Sequence, residues 1–140
     1  MSDLLRVITS VICDDIRRES NGKLILIGVY GSGIKVASLP SFVVMSLLLE
    51  VQPTVVGDHE LRVRLTGQSN AVLFESPPVK FSIDAIKFVN VPMVGLPIQI
   101  QSPGPIELQI SVAGTEWQTI RTLTVEVGPL PLVPTFLTPI

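Results

Sequence analysis

The densest group of reactive side chains is Asp14, Asp15, Arg17, Arg18, Glu19 and Lys23, packed between positions 14 and 23. Two adjacent carboxylates can begin a calcium site, because hard cations take roughly six to eight oxygen ligands. Asp58 and Glu60 are the further acids that loops at one end of a sandwich would bring. Arg17, Arg18 and Lys23 compete with any cation there, and no acidic loop of EF-hand spacing exists. The preferred reading is a tight turn, in which an aspartate accepts from backbone N–H groups and pairs with an arginine.

Other residues offer chemistry singly. Asp58-His59-Glu60 holds three metal-ligand types, but neighbours on a strand point to opposite faces, so at most two converge. A histidine without a second histidine or cysteine is a poor zinc site, and a solvated loop is expected. Cys13 becomes a nucleophile only beside a base, and His59 is the single imidazole. Closing an apolar segment, Cys13 reads as a small buried hydrophobe. Gly28-Val29-Tyr30-Gly31-Ser32-Gly33 has the wrong spacing for a phosphate loop, lacks Lys-Ser or Lys-Thr, and runs on into strand-like Ile34-Lys35-Val36. It reads as a turn. Trp117 and Tyr30 are too few for a stacking platform, so Trp117 is expected to fill the core, as are Phe42, Phe74, Phe81, Phe88 and Phe136.

The elements that would position these groups are short. Twelve prolines and ten glycines punctuate the 140 residues. The segments between them are rich in Val, Ile, Leu and Thr, which predicts many strands joined by turns. Glu60 to Thr66 alternates strictly, with Leu61, Val63 and Leu65 on one side and Arg62, Arg64 and Thr66 on the other. Ile106 to Val112 and Leu123 to Val127 repeat the pattern. Ala113 to Glu116 joins them as a hairpin turn, and the parity of Trp117 against Ile120 predicts a bulge near Ile120. Val7 to Cys13 and Leu24 to Tyr30 are wholly apolar or nearly so, and read as central strands covered on both faces. Asn21-Gly22 marks a turn between them. Phe42 to Val51, bracketed by Pro40 and Pro53, reads as a strand; Gly67 to Asn70 turns the chain into a strand over 71–75 that Pro77-Pro78 ends; Phe81 to Asn90 is ambiguous.

Composition limits what the fold can do. Ten Lys+Arg stand against twelve Asp+Glu, a net charge of −2, and Arg17-Arg18 is the longest basic run. Nucleic acid is therefore not an expected partner. One cysteine permits no intrachain disulfide and no thiolate zinc site. Met1 to Arg6 places Asp3 where a signal peptide carries basic residues, and Ile12 is too bulky for a lipoprotein box before Cys13. The longest uncharged run, Phe88 to Ile106, is broken by four prolines and two glycines and cannot be one membrane helix. A cytoplasmic protein without membrane contact is the expectation.

The stretch Cys13-Asp14-Asp15-Ile16-Arg17-Arg18-Glu19-Ser20-Asn21-Gly22-Lys23-Leu24-Ile25-Leu26-Ile27-Gly28-Val29-Tyr30 resembles the opening of a family of small uncharacterised bacterial proteins. The resemblance is looser at Ile106–Val112 and Trp117–Val127. It implies a small β-sandwich domain and carries no activity, cofactor or small-molecule ligand.

The expected fold is all-β, a two-sheet antiparallel β-sandwich of immunoglobulin-like or C2-like type with eight or nine strands. The domain spans 1–128, and 129–140 is a proline-rich apolar tail. The expected core is Val7, Val11, Leu24, Leu26, Ile27, Val43, Leu47, Leu61, Val63, Leu65, Ile106, Leu108, Ile110, Leu123 and Val125. Catalytic groups are nearly absent and the apolar load is high, so a non-enzymatic binding or assembly module is expected. It would associate with itself or a protein partner through edge strands or through the tail residues Leu130, Leu132, Phe136 and Ile140. The alternatives are a loop-end module for Ca²⁺ or an anion, centred on Asp14, Asp15, Arg17, Arg18 and Lys23, and an enzyme of unrecognised kind.

Overall fold

The computed structural model describes residues 4–129. Ten strands follow one another: β1 (Leu5–Arg18), β2 (Leu24–Val29), β3 (Gly33–Val36), β4 (Ser41–Pro53), β5 (Gly57–Thr66), β6 (Val72–Glu75), β7 (Val79–Ile83), β8 (Val89–Ile100), β9 (Gly104–Val112) and β10 (Gln118–Val127). A 3-10 turn over Gln68–Asn70 links β5 to β6. The count exceeds the eight or nine expected. β8 forms inside the proline-interrupted run 88–106, and β7 starts at Val79 and runs into the ambiguous segment as far as Ile83.

The strands build two sheets. One has the order β2-β1-β4-β8 and is antiparallel throughout; the other runs β3-β10-β9-β5-β6, with β7 also on β5. The second sheet is not wholly antiparallel as expected, because β3 pairs parallel with β10. β3 and β10 are far apart in the sequence, so no hairpin obliges them to run in opposite directions.

The alternating segments explain the core. Leu61, Val63 and Leu65 are completely buried from β5, and share one core cluster with Leu47, Leu49 and Val51 of β4. Each such side chain contributes about 1.5–3 kcal/mol by leaving water. Leu47, Ile106, Leu108, Ile110, Leu123 and Val125 are buried as expected, and Val7 and Val43 pack against the cluster. Leu24, Leu26 and Val11 are only half-buried and lie outside it, and Ile27 is exposed. For β2 the reason is topological: among the described residues it has a neighbour on one side only, so an apolar sequence here does not mean a central strand; Val11 lies on the outer side of β1, in register with Leu48. Phe42 and Phe88 are also exposed, while Phe74 and Phe81 pack against the core; Phe136 lies outside the described residues.

The punctuation is where the sequence puts it. Gly22, at φ 87°, turns β1 into β2, with Gly22 N–H donating to Glu19 O at 2.9 Å. Ala113 and Gly114, both left-handed, turn β9 into β10. The register of β10 slips between Thr119 and Arg121, which places the bulge at Ile120. The long strands β1 and β4 carry further irregularities, at Ile8 and opposite Ser46.

Candidate functional site

The charged cluster is not a loop. β1 continues through Arg18, and only Glu19 to Lys23 turn. Alternation therefore separates the two aspartates. Asp15 accepts from the Arg17 guanidinium at 3.0 Å and from its neighbour's backbone, Ile16 N–H, at 2.9 Å. Asp14, on the other side of the strand, accepts from the Tyr30 phenol at 2.7 Å. Arg18 ends β1 opposite Leu24, and Lys23 closes the turn, its N–H donating to Asn21 Oδ1 at 3.0 Å. The sequence places acids beside the end of β2 and bases beside its start.

Gly28 makes the Asp14 arrangement possible. It sits in β2 at φ 67°, and a Cβ there would overlap the Asp14 carboxylate. Tyr30 then reaches along the same side of the ladder to Asp14 Oδ1. Burial, followed by the Asp14 hydrogen bond and charge, holds the Tyr30 phenol above its ordinary pKa. Cys13 is fully buried, as expected, and burial with the neighbouring carboxylates pushes its thiol up, away from the reactive thiolate.

The register then defines a face. Cys13 lies between Val29 and Ser46, Asp15 opposes Ile27, Arg17 opposes Ile25, and Val11 opposes Leu48. Further along β4, Val44 opposes Pro97 and Phe42 opposes Gln99. Opposed residues share one side of an antiparallel pair. The outer side of the four-stranded sheet is thus apolar apart from the Asp15–Arg17 pair; Cys13 and Ser46 on it are buried, while Phe42 is 73% exposed, Val29 and Val44 58%, Ile27 43% and Ile25 42%. Single exposed apolar residues need no explanation, but a contiguous group marks a contact surface.

The outer side of the six-stranded sheet is different. Arg62 and Arg64 project from β5, and both guanidinium carbons lie over Trp117, at 5.6 and 4.2 Å from the ring centre. Arg62 also pairs with Glu75, and Arg64 donates Nε–H to Gln109 Oε1 at 2.7 Å. Gln109 in turn donates to Glu107 and Thr119. Trp117 is half-buried in this polar ladder and is not part of the core, contrary to expectation. Its neighbours on β5 are arginines because that face alternates with Leu61, Val63 and Leu65.

His59 also departs from expectation. It is no solvated loop residue but lies buried on β5, stacked on Phe81 at 5.5 Å, with Nε2–H donating to Val55 O at 2.8 Å. A cleft of about 630 Å³ runs past it between Asp58, Glu60, Lys80 and Ser82. Among the described residues, no group of three or more His, Cys, Asp or Glu is placed to hold a metal ion. Nor is any helix long and apolar enough to cross a membrane. The tail residues Leu130, Leu132, Phe136 and Ile140 lie outside the described residues.

Of the residues singled out in the sequence, Asp14, Asp15, Arg17, Arg18 and Lys23 border one strand, β2. Ile25, Val29 and Val44 were not singled out, and Ile27 and Phe42 were expected in the core. Their only sequence signal was apolar character, which also describes buried strands.

Residues 8–126 match the pattern described as Family of unknown function (DUF6941), and the chain belongs to that family. The matched stretch includes Cys13 to Tyr30. No curated protein matches the chain.

Proposed function

We propose that the chain is a non-enzymatic assembly module, whose contact surface is the β2 edge and the apolar sheet face beside it. The observation that carries this reading is the exposure of Ile25, Ile27 and Val29 on a strand that ends its sheet. Such an edge presents backbone N–H and C=O groups that another strand can satisfy. A neighbouring apolar face adds burial to those hydrogen bonds.

The calcium or anion alternative gains less support. Asp15 is occupied by Arg17 and Asp14 by Tyr30, so a cation would have to displace both donors. An enzyme built on Cys13 would need a thiolate, and the surroundings of Cys13 disfavour one.

The test is the solution mass of the full chain, by light scattering after size exclusion across a wide concentration range. Assembly requires masses above the 15.1 kDa of one chain. A mass that stays at one chain throughout overturns the reading.

A further inference from the structure

We infer that the occupant of the β2 edge is a second copy of this chain, added β2 against β2 about a two-fold axis normal to the sheet. This rests on the assembly reading and deepens it. The product is one eight-stranded sheet, in the order β8-β4-β1-β2-β2-β1-β4-β8.

The first support is a comparison of the strand edges. β8, the other edge of the four-stranded sheet, carries Pro92 and Pro97, which have no N–H, and left-handed Gly95. β3 has four residues, one of them Lys35. β6 and β7 have four and five residues, separated by Pro77-Pro78, and β7 carries Lys80. Prolines, lysines, bulges and short length are the usual guards against pairing. β2 has six residues, Leu-Ile-Leu-Ile-Gly-Val, without proline or charge. Its single irregularity is Gly28.

Charge selects the direction of addition. β1 sets Asp14 and Asp15 beside the Val29 end of β2, and Arg17 and Arg18 beside its Leu24 end. Lys23 joins the basic end, and Glu19 offsets one of its three cations. The strand therefore lies between an end with two net positive charges and an end with two negative ones. Antiparallel pairing of two copies brings each basic end beside the partner's acidic end. Parallel pairing would set like ends together. The two β1 strands stand three strand spacings apart, roughly 14 Å, which exceeds the Debye length of about 8 Å at physiological salt, so charge biases the direction mainly at low ionic strength.

Symmetry decides the side chains and the stoichiometry. A two-fold axis normal to a sheet leaves every residue on its own face. Ile25, Ile27 and Val29 of both copies then line one side of the joined sheet, set apart from Val44 and Phe42 by the Asp15–Arg17 pair on β1. The contact is isologous and closes on itself. The new outer edges are both β8, with their prolines, so growth stops at two.

Single cysteines placed at positions 25 to 29 of the full chain test this geometry. The residue on the axis faces its own copy at a Cα separation of about 4.5–5.5 Å, within disulfide reach. Residues two positions away do not meet themselves. Mild oxidation is expected to cross-link one position strongly, either Leu26→Cys or Ile27→Cys, and to leave Phe42→Cys and Val44→Cys monomeric on a denaturing gel. Ile27→Lys, at an exposed site, is expected to halve the solution mass while circular dichroism stays that of a folded sheet. A dimer that survives Ile27→Lys and cross-links at Phe42 or Val44 overturns β2 pairing but keeps the assembly reading. Masses rising past two chains, or a partly assembled chain that cross-links at none of these positions, also overturn the two-fold. The latter outcome points to residues 130–140 as the occupant of the edge. A chain that is monomeric at every concentration ends both proposals.

Discussion

The Tyr30 hydroxyl donates to Asp14 Oδ1 at 2.7 Å across the bare backbone of Gly28, which ties the end of β2 to β1 where the chain leaves for the second sheet. The position needs glycine twice over, for its φ of 67° and for the space that Asp14 fills.

Gly28→Ala should therefore cost more than the about 1–2 kcal/mol of a left-handed alanine. Gly22 is the control, because it is left-handed at φ 87° and has nothing within 4 Å of its Cβ direction. Chemical denaturation of both variants separates the two effects. Gly28→Ala should lose more stability than Gly22→Ala, and equal losses would mean that Asp14 moves aside freely.

The same contact makes a pH prediction. Tyr30 has a raised pKa in the folded state, from burial first and Asp14 second, so folding favours its protonated form. Its contribution is complete below the unfolded pKa of about 10 and is lost as pH rises towards the folded value. Cys13 is raised as well, so its loss begins lower, near the ordinary thiol value of 9.0. Stability should fall from about pH 9 upward. Tyr30→Phe should flatten the upper part of that fall in denaturation curves taken between neutral and strongly alkaline pH. An unchanged alkaline slope in Tyr30→Phe would remove the linkage.

How much of this was legible in the sequence depends on whether neighbours or distant strands decide it. Alternation identified β5, β9 and β10, because Leu61, Val63 and Leu65 report their own burial by parity. Turn residues found the β1–β2 and β9–β10 reversals, because a left-handed backbone is a local demand. Edge position is not local. Leu24–Val29 reads the same whether one neighbour or two will flank it, and only the pairing of β1 with both β2 and β4 shows that β2 is at the end. For the same reason Ile27 was expected in the core; Phe42, on the flanked strand β4, was misplaced because the sequence does not say which face of the sheet is covered. Asp14 and Tyr30 were each visible, but their meeting depends on strand register.

Ser46 illustrates a second feature that register alone reveals. It is fully buried on β4 and faces Val94 and Gly95, the two-residue bulge of β8. Its hydroxyl donates to Asp14 O at 3.3 Å and accepts from Gly95 N–H at 3.2 Å. Ser46→Ala strands a bulge N–H and should cost about 1–3 kcal/mol, read as a lower denaturation midpoint at constant slope. A cost under about 0.5 kcal/mol would mean that the Gly95 N–H reaches water instead.

The contrast between the two outer faces supplies the last prediction. Arg64 lies 4.2 Å from the centre of the Trp117 ring and is held there by Gln109. Arg62 is turned towards Glu75, and its Nε is buried without a hydrogen-bond partner among the described residues. Apart from that Nε, these groups pair with one another within the polar ladder, so the face has no need of an apolar partner. A double-mutant cycle of Arg64→Leu and Trp117→Leu should give a coupling of about 0.5–1 kcal/mol. Trp117 is the single tryptophan, so its fluorescence should shift when Arg64 is removed, reporting the contact directly. Neither change should alter the solution mass, because the ladder lies on the opposite sheet from β2. If Arg64→Leu dissociated the assembly, the contact surface would have to be moved from the apolar face to this one. The stability coupling and the mass thus test the two faces independently.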